Sequence, residues 1–489
     1  MSSENSQRQH AWLQLLFASV AVFFVQGCTA YGLYQNVLIN SFFKDVETDS
    51  KIATVGAISI AFTNLVGIFV PTMVGKLARG NPLPVLAVGF CFVFAGYLGA
   101  SFGTRLWHLV LCQGFLVGCG IPMVCGPLLV GIPLKFDEKE RRLPTAILAT
   151  IGGIGGLFMV PSTARVIVDR GLDWGYRTAG ITCGLSTLLA IAIMFTLRTL
   201  QQRQLQQHHK LQQKEAIIQS DKDDDDDTTD TQLPVTTRSP SIESNTSSDE
   251  KQVARLPSSS PASAPTPAAA PSLSAQLAIG YGWLARSPLL SLPLSLSAFF
   301  AMGSFFLPLF FIPSETTRLG YHFPISPTLA GCFGGSTGLG RGIAVFFAAK
   351  YPHLIRRTHL AMKFTAAFFA YVLWVPRYDV PALYFVFIIL YGLAAGLETG
   401  LQPLALNGIV RDAASENEKS NAPAVGGHVF RVLMLVHAFG AMLWIPIAGY
   451  LLDTLTDNPA NSRPVSLLCA ILWTASGISF ALGMLSLRR

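Results

Sequence analysis

The chain has 489 residues, of which 51% are hydrophobic and only 13% are charged. Soluble globular domains carry about 25% charged residues, so this composition excludes an ordinary soluble protein and indicates an integral membrane protein. The formal net charge of +7 comes largely from short polar segments, which indicates the loop bias that orients membrane proteins and not a nucleic-acid-binding surface.

Twelve apolar segments follow a short polar tail and fall into two sets of six. Each is long enough to cross the ~30 Å hydrocarbon core, which takes about 20 helical residues. Backbone groups in lipid must be satisfied within the segment, and the segments lack the alternation of barrel strands, so we predict helices. In chain order these predicted spans one to twelve are residues 12–40, 52–75, 84–103, 106–133, 144–168, 178–198, 288–312, 326–349, 358–375, 381–408, 425–452 and 464–486.

The chain divides by composition into four predicted regions. A linker between the two sets of spans contains the acidic run Asp221–Asp230 and a Ser/Pro/Ala tract, and such a segment cannot bury enough apolar surface to fold. Lys and Arg are more frequent in the short loops on the side of the termini, which predicts that both termini are cytoplasmic, and we expect the plasma membrane. The regions are a cytoplasmic tail at 1–10, a six-helix bundle at 11–198, a disordered cytoplasmic linker at 199–287 and a second six-helix bundle at 288–487.

Arg341 is the single charge in an apolar, small-residue run from Ser326 to Ala349. An Arg near the centre of a membrane helix costs at least ~2.5–3.5 kcal/mol to insert, so it must face protein or a wet cavity. We predict that Arg341 binds an anionic substrate. The alternative is a structural Arg that bonds neighbouring backbone carbonyls.

Two further ionisable side chains fall at a similar depth, Glu398 in span ten and His437 in span eleven. We expect Glu398 to be the one acidic side chain deep in a span, either compensating Arg341 or carrying a proton. His titrates near neutrality, which makes His437 the second candidate for proton coupling. The alternatives are a structural ion pair for Glu398 and a packing hydrogen bond for His437.

Several stretches in both halves resemble the monocarboxylate porter family of the major facilitators, in its fungal branch. They occur in the family's order: the basic loop Lys135–Arg142, the glycine run Gly152–Gly156 of span five, Gly340-Arg341 of span eight and the segment Ile445–Asp453 of span eleven. The resemblance implies an all-α membrane protein with twelve transmembrane helices in two six-helix bundles, the major facilitator fold. In such folds the substrate binds near the midplane between two rocking halves.

Four places depart from the family's pattern, one of them the loop after span two, where Ala78-Arg79 replaces the usual Asp-Arg. Val37 stands where many members carry a substrate-contacting Lys, and Thr337 stands where an Asp often precedes the Arg of span eight. The acidic-Gly opening of the first helix is replaced by His10-Ala11-Trp12. These departures argue against assuming lactate or pyruvate as the substrate and against proton coupling of the lactate-carrier kind.

First spans line the cavity in this family, which makes the polar residues of span one candidates for binding the substrate. They are Tyr31, Tyr34, Gln35 and Asn36, of which Tyr31 and Gln35 share a helix face. The alternative is that these side chains form hydrogen bonds between helices.

The resemblance implies a secondary active transporter of small organic anions, such as mono- or dicarboxylates, in a lipid bilayer. Export of an acidic metabolite, such as an itaconate-like acid, and proton coupling are both left open. So are two alternatives, a transporter of a larger neutral metabolite (riboflavin-like or drug-like) and a non-transporting nutrient sensor with a transporter fold. The eight cysteines form no metal-ligand spacing, and the sequence has no His-rich metal motif and no Ser/His pairing at useful spacing, so we predict no metal, no cofactor and no enzymatic activity.

Overall fold

Helices make up nearly all of the structure, a computed structural model that describes residues 2–29, 31–44, 46–78, 80–226, 272–321, 325–376, 380–414, 419–455 and 463–487. Within these ranges there is no β-strand, and the predicted all-α fold of two six-helix bundles is confirmed. The physical reason is that a helix satisfies its backbone hydrogen bonds internally, as lipid requires.

The N-terminal half contains spans one to six. Span one is broken into the helices Ser2–Gly27 and Tyr31–Val37, followed by a π-helical turn at Leu38–Phe42, where the sequence predicted one continuous span. Gly171, at φ 99°, separates spans five and six with a backbone conformation that favours glycine. The other spans are Asp49–Thr72 with a π-turn at Met73–Leu77, Leu83–Ala100, Leu106–Leu109 continuing through Val110–Val117 and Gly118–Gly131 to a 3₁₀ turn at Pro133–Lys135, Arg142–Arg170 and Leu172–Asp226.

The C-terminal half contains spans seven to twelve, preceded by a separate helix, Leu273–Arg286. Of the described helices, ten are long and apolar enough to cross a membrane by that criterion alone. Spans eight and nine complete the predicted twelve; the first is rich in Gly and the second carries Arg356, Arg357 and Lys363. The six spans are Pro288–Arg318, Ile325–Lys350, Ile355–Phe369 with a π-turn at Ala370–Trp374, Pro381–Ala413, Ala422–Leu455 and Arg463–Ser486.

The structure differs from the predicted disordered linker at both of its ends. The helix of span six continues to Asp226, through a stretch rich in Gln, Leu and Lys, which are good helix formers. The helix Leu273–Arg286 is capped by the Ser272 side chain and packs against span eleven. Residues 227–271 lie outside the described residues, so disorder there stays a prediction.

Two pairs of helices join the halves along their length. Span five packs along span eight, and span two packs along span eleven. The first pair meets through glycines, with Gly153 directly against the Gly334 carbonyl and Gly338. Such small residues allow close approach of two helix backbones, so this contact fixes where span eight and its Arg341 sit.

Candidate substrate and coupling site

The backbone around Arg341 is enclosed by two neighbouring helices. Gly340 packs against span ten at Leu393, and Gly338 packs against span five at Thr150. A larger side chain at either glycine would hold the helices apart. The glycines that the sequence shows on both sides of Arg341 are therefore packing positions, and they fix the depth of the guanidinium.

The Arg341 side chain is half-buried and holds two contacts. Its Nε donates to Thr399 Oγ1 at 3.4 Å, and its guanidinium carbon lies 5.8 Å from the centre of the Phe305 ring. No Asp or Glu in the described ranges forms an ion pair with it. Glu398, one of the two compensating groups considered from sequence, is therefore not its partner.

Glu398 is instead held by a lysine of span nine. Lys363 Nζ donates to Glu398 Oε1 at 2.5 Å and to Ser476 Oγ at 3.1 Å, and both charged side chains are 1% exposed. His359 lies against the same acid, with Nε2 at 3.6 Å from Oε1 and Nδ1 at 3.1 Å from the Glu398 carbonyl oxygen. The ion pair is thus desolvated, with a hydroxyl and an imidazole as further polar neighbours.

The sequence reasoning missed Lys363 and His359, although an ionisable residue inside a predicted span was the signal that selected Arg341. It also did not single out a second buried acid, which lies beyond the predicted end of span seven at residue 312 and three residues before the end of the observed helix. Glu315 in span seven is 3% exposed and accepts hydrogen bonds from Trp374 Nε1 and the Tyr384 hydroxyl, each at 3.0 Å.

His437 lies close to the buried ion pair through Gln402. The Gln402 amide nitrogen donates to His437 Nε2 at 3.0 Å, and Gln402 follows Glu398 by one helical turn. A cavity of about 20 Å³ beside Lys363, His359 and Gln402 has room for no more than a water-sized molecule. The cluster can therefore hold or move charge, but an organic substrate does not fit in it.

Tyr31 and Asn36 of span one contact neighbouring helices in this conformation. The Tyr31 hydroxyl donates to the Ile52 carbonyl oxygen at 2.7 Å, and Asn36 Nδ2 donates to Thr317 Oγ1 at 3.0 Å and to Ser326 Oγ at 3.4 Å. The hydrogen bonds of Asn36 cross from the N-terminal to the C-terminal half. Both residues therefore serve packing in this state, as the alternative interpretation from sequence had it.

Tyr34 and Gln35 are buried more deeply than their neighbours. The Tyr34 ring stacks on Tyr176 with 4.5 Å between ring centres, and Gln35 is 0% exposed. Neither the Tyr34 hydroxyl nor either polar atom of the Gln35 side chain has a hydrogen-bond partner among the described residues. No hydrogen bond or ion pair among the described residues joins Arg341, the span-one residues and the Glu398–His437 pair, although Thr399, which Arg341 contacts, directly follows Glu398.

The halves are also joined by charge at the end of the bundle that holds Phe42, Asp49, Arg318 and Leu455, which we call the outer end on the predicted topology. Arg318 Nη2 lies 3.0 Å and 2.8 Å from the two carboxylate oxygens of Asp49. Asp453 of span eleven accepts from the backbone N–H groups of Asp49 and Ser50, each at 3.1 Å. The outer end is therefore closed by contacts from both halves.

A larger cavity lies at the opposite, inner end and contains none of the predicted site residues. It has a volume of about 290 Å³ and is bordered by the helix Leu273–Arg286 and spans ten and eleven. Arg431, which the sequence places near the inner mouth, bonds Gln276 of this helix. Arg431 thus holds the helix to span eleven and does not face Arg341's surroundings.

Twelve membrane helices in two halves, with charged and polar groups buried between them, define a membrane transporter. The chain belongs to the Major Facilitator Superfamily, whose family model matches residues 54–425.

Its similarity to individual transporters of fungi is partial. The chain is 37% identical over 108 residues to the uncharacterized transporter ESBP6 of Saccharomyces cerevisiae, covering 22% of this chain and 16% of that one. It is 33% identical over 124 residues to the probable transporter MCH2 of the same yeast, which is 25% of each chain. The fujikurins efflux protein of Gibberella fujikuroi is 26% identical over 185 residues, 37% of this chain and 39% of the relative. The matches thus span well under half the length of these relatives.

Solved transporters share the fold across nearly the whole chain. The nucleoside transporter NupG aligns with a TM-score of 0.63 and 14% identity, covering 97% of this chain and 99% of NupG. The xylose transporter XylE of E. coli aligns with a TM-score of 0.57 and 12% identity over 96% and 97%. At these identities the likeness extends to the fold alone.

Proposed function

We propose that this protein is a secondary transporter that moves small organic anions, mono- or dicarboxylates, by alternating access. The anion binds at Arg341. The observation that carries the proposal is the pairing of charges in the C-terminal half. Lys363 already neutralises Glu398 at 2.5 Å, whereas Arg341 has no carboxylate partner among the described residues. Arg341 is therefore a positive charge within span eight that no carboxylate of the described residues pairs with.

A carboxylate substrate would supply the missing negative charge. An uncompensated charge inside a low-dielectric bundle is strongly unfavourable, and pairing it with an anion recovers part of that cost. The planar guanidinium can bind both oxygens of a carboxylate at once, which an ammonium cannot. The half-buried position and the single weak contact to Thr399 leave the guanidinium able to do this.

The test is transport by purified protein in liposomes, with radiolabelled succinate, itaconate and lactate as anionic probes and riboflavin as a neutral probe. Arg341→Lys keeps the charge but loses the planar fork, and we expect a loss of roughly 10- to 150-fold in affinity for the transported acid. Arg431→Gln is the matched control, because it removes an Arg at the inner end and should leave affinity unchanged. Normal binding of the acid by a stable Arg341→Ala protein would contradict the proposal.

Proton coupling belongs to the proposal at Glu398 and His437. Because Lys363 holds Glu398, Glu398→Gln alone would strand a buried lysine, and the informative variant is Lys363→Met with Glu398→Gln. We expect this double variant to exchange labelled substrate but to lose accumulation driven by a pH gradient. Accumulation that persists in the double variant would move the coupling to His437, to be tested with His437→Gln.

The family resemblance, the loop charges and the name of one relative support further parts of the proposal. The order of the family stretches supports a relationship to the fungal monocarboxylate porters, and the loop charges support cytoplasmic termini, in what we propose is the plasma membrane. One relative is an efflux protein by name, which favours export of an acidic metabolite such as an itaconate-like acid.

A second candidate is the export of a larger neutral metabolite. The same relative bears only on export as the direction of transport, and Val37 in place of the family's lysine favours a neutral substrate. Transport of riboflavin and of no acid by the liposomes above would select this candidate.

A further inference from the structure

We propose that the closed outer end is a balanced gate. Charged contacts around the start of span two hold it shut, and the buried amide of Gln35 favours its opening. The balance between the two sets how often the outer end opens, whatever the substrate is.

The closing contacts join the two halves at the start of span two. Arg318 and Asp49 are 16% and 13% exposed, so their ion pair is screened less than a fully solvated one. Asp453 places one carboxylate oxygen on each of the first two backbone N–H groups of span two. A carboxylate at a helix N-terminus also interacts favourably with the helix dipole. Both interactions must break when the halves separate here.

Close backbone contacts show how tightly the same surface is shut. Gly32 of span one lies against the Leu309 carbonyl of span seven, and Gly449 of span eleven lies against the backbone of Ser50. The Ser50 hydroxyl also donates to the Pro446 carbonyl at 3.1 Å. The two halves are therefore in direct backbone contact over this surface.

Gln35 lies on the covered face and opposes the closure. It follows Gly32 by three residues and Tyr31 by four, and both of these contact span seven, at Leu309 and Phe310. Its amide is fully buried, and neither polar atom has a partner in the described part of the chain. Burying an unsatisfied amide is unfavourable relative to leaving it hydrated. Opening the outer end uncovers this face and allows the amide to be hydrated.

The experiment measures the outer distance directly and needs no substrate. Spin labels are placed at Val46→Cys and Leu455→Cys, which are 72% and 65% exposed and lie on opposite halves. Cys91, Cys112 and Cys332, the three cysteines that are not buried, are replaced by Ala. Pulsed electron paramagnetic resonance in lipid nanodiscs then gives the populations with short and long distances.

Breaking the ion pair should open the gate. We expect Asp49→Asn and Arg318→Gln each to raise the ratio of open to closed protein roughly 10-fold or more. The exchange Asp49→Arg with Arg318→Asp should restore the closed distance. Asp412→Asn is the matched control, because Asp412 pairs with Arg356 within the C-terminal half.

Removing the amide should act in the opposite direction. In the Asp49→Asn background, where open protein is populated, Gln35→Met should lower the open-to-closed ratio roughly 5-fold or more. Gln113→Met is the control: it removes another buried amide, one bonded to Tyr176 within the N-terminal half, and should leave the ratio unchanged.

An Asp49→Asn protein with the wild-type distance distribution would contradict the proposal that the ion pair of Asp49 and Arg318 holds the outer end closed. A Gln35→Met protein that opens more often would overturn the opposing role of the amide. Neither result depends on which substrate is carried. The proposal of a gate can therefore be contradicted while the proposal of an anion site at Arg341 holds, and the anion site can be contradicted while the gate holds.

Discussion

The N-terminal half buries its polar side chains as neutral hydrogen-bonding groups, whereas the C-terminal half buries charged ones. In the described residues of the first half, the buried polar set includes Gln35, Gln113 and Asn36 but no acid or base. The second half buries Lys363, Glu398 and Glu315 together with two histidines.

This difference in buried side chains indicates which half of the protein can carry out chemistry that depends on charge. A neutral network can orient a substrate's polar groups, but it cannot store a proton or neutralise an anion. The C-terminal half has both abilities, since Lys363 and Glu398 form an ion pair and Arg341 carries an additional charge.

The contrast between the two halves would not hold if the buried ion pair of Lys363 and Glu398 contributed little to the stability of the fold. Lys363→Met would leave the Glu398 carboxylate buried without its lysine, with His359 and the more distant His437 as basic neighbours, and we expect a loss of about 3–5 kcal/mol in the free energy of unfolding. Thermal unfolding of the purified protein in one detergent measures the change.

The double variant Lys363→Met with Glu398→Gln separates charge from volume. It removes both charges together, so most of the lost stability should return. Matching losses in the single and double variants would show that packing around Lys363, and not its charge, is what stabilises the bundle.

Much of the fold could be predicted from sequence because hydropathy and length decide which segments cross a membrane. Twelve segments with few charges left little choice of architecture, and Arg341 and Glu398 stood out as charges inside them. The break after Gly27 was not predictable, because the residues around it are as apolar as those of the flanking helices.

The partner of Glu398 could not be predicted for a different reason. The pairing of Lys363 with Glu398 depends on the rotation and register of spans nine and ten. Neither quantity can be predicted from the composition of a single helix. Span nine begins with Arg356 and Arg357, so one more base two turns later does not stand out in the sequence. Only the packed structure shows that it turns inward to Glu398.

The interface between the two halves offers a further test, because both halves contribute glycines to it. Gly153→Ala would place a methyl group on the Gly334 carbonyl and Gly338, and overpacking of this kind costs about 1–3 kcal/mol. We expect a lower unfolding temperature and weaker transport. Gly427→Ala is the control, because a Cβ there meets nothing within 4 Å. A Gly153→Ala protein as stable as wild type would mean that the helices are not held at this distance.

The smallest effect is expected for the neutral network of the first half. The Tyr176 hydroxyl donates to Gln113 Oε1 at 2.7 Å, and both side chains are buried. Tyr176→Phe keeps the ring that stacks on Tyr34 and removes only this hydrogen bond, which leaves the amide oxygen unsatisfied. We expect a loss of about 1–2 kcal/mol, measured by the same unfolding experiment.

A matched variant decides whether charge or hydrogen bonding explains the contrast. Tyr97→Phe removes a hydrogen bond of 2.9 Å to the Cys28 carbonyl, an acceptor with a second lone pair, and should cost less than Tyr176→Phe. If Tyr176→Phe instead costs as much as Lys363→Met, burial of charge would not distinguish the halves. A loss near 1 kcal/mol would agree with a first half that hydrogen bonds hold in shape and a second half whose stability depends on the pairing of its charges.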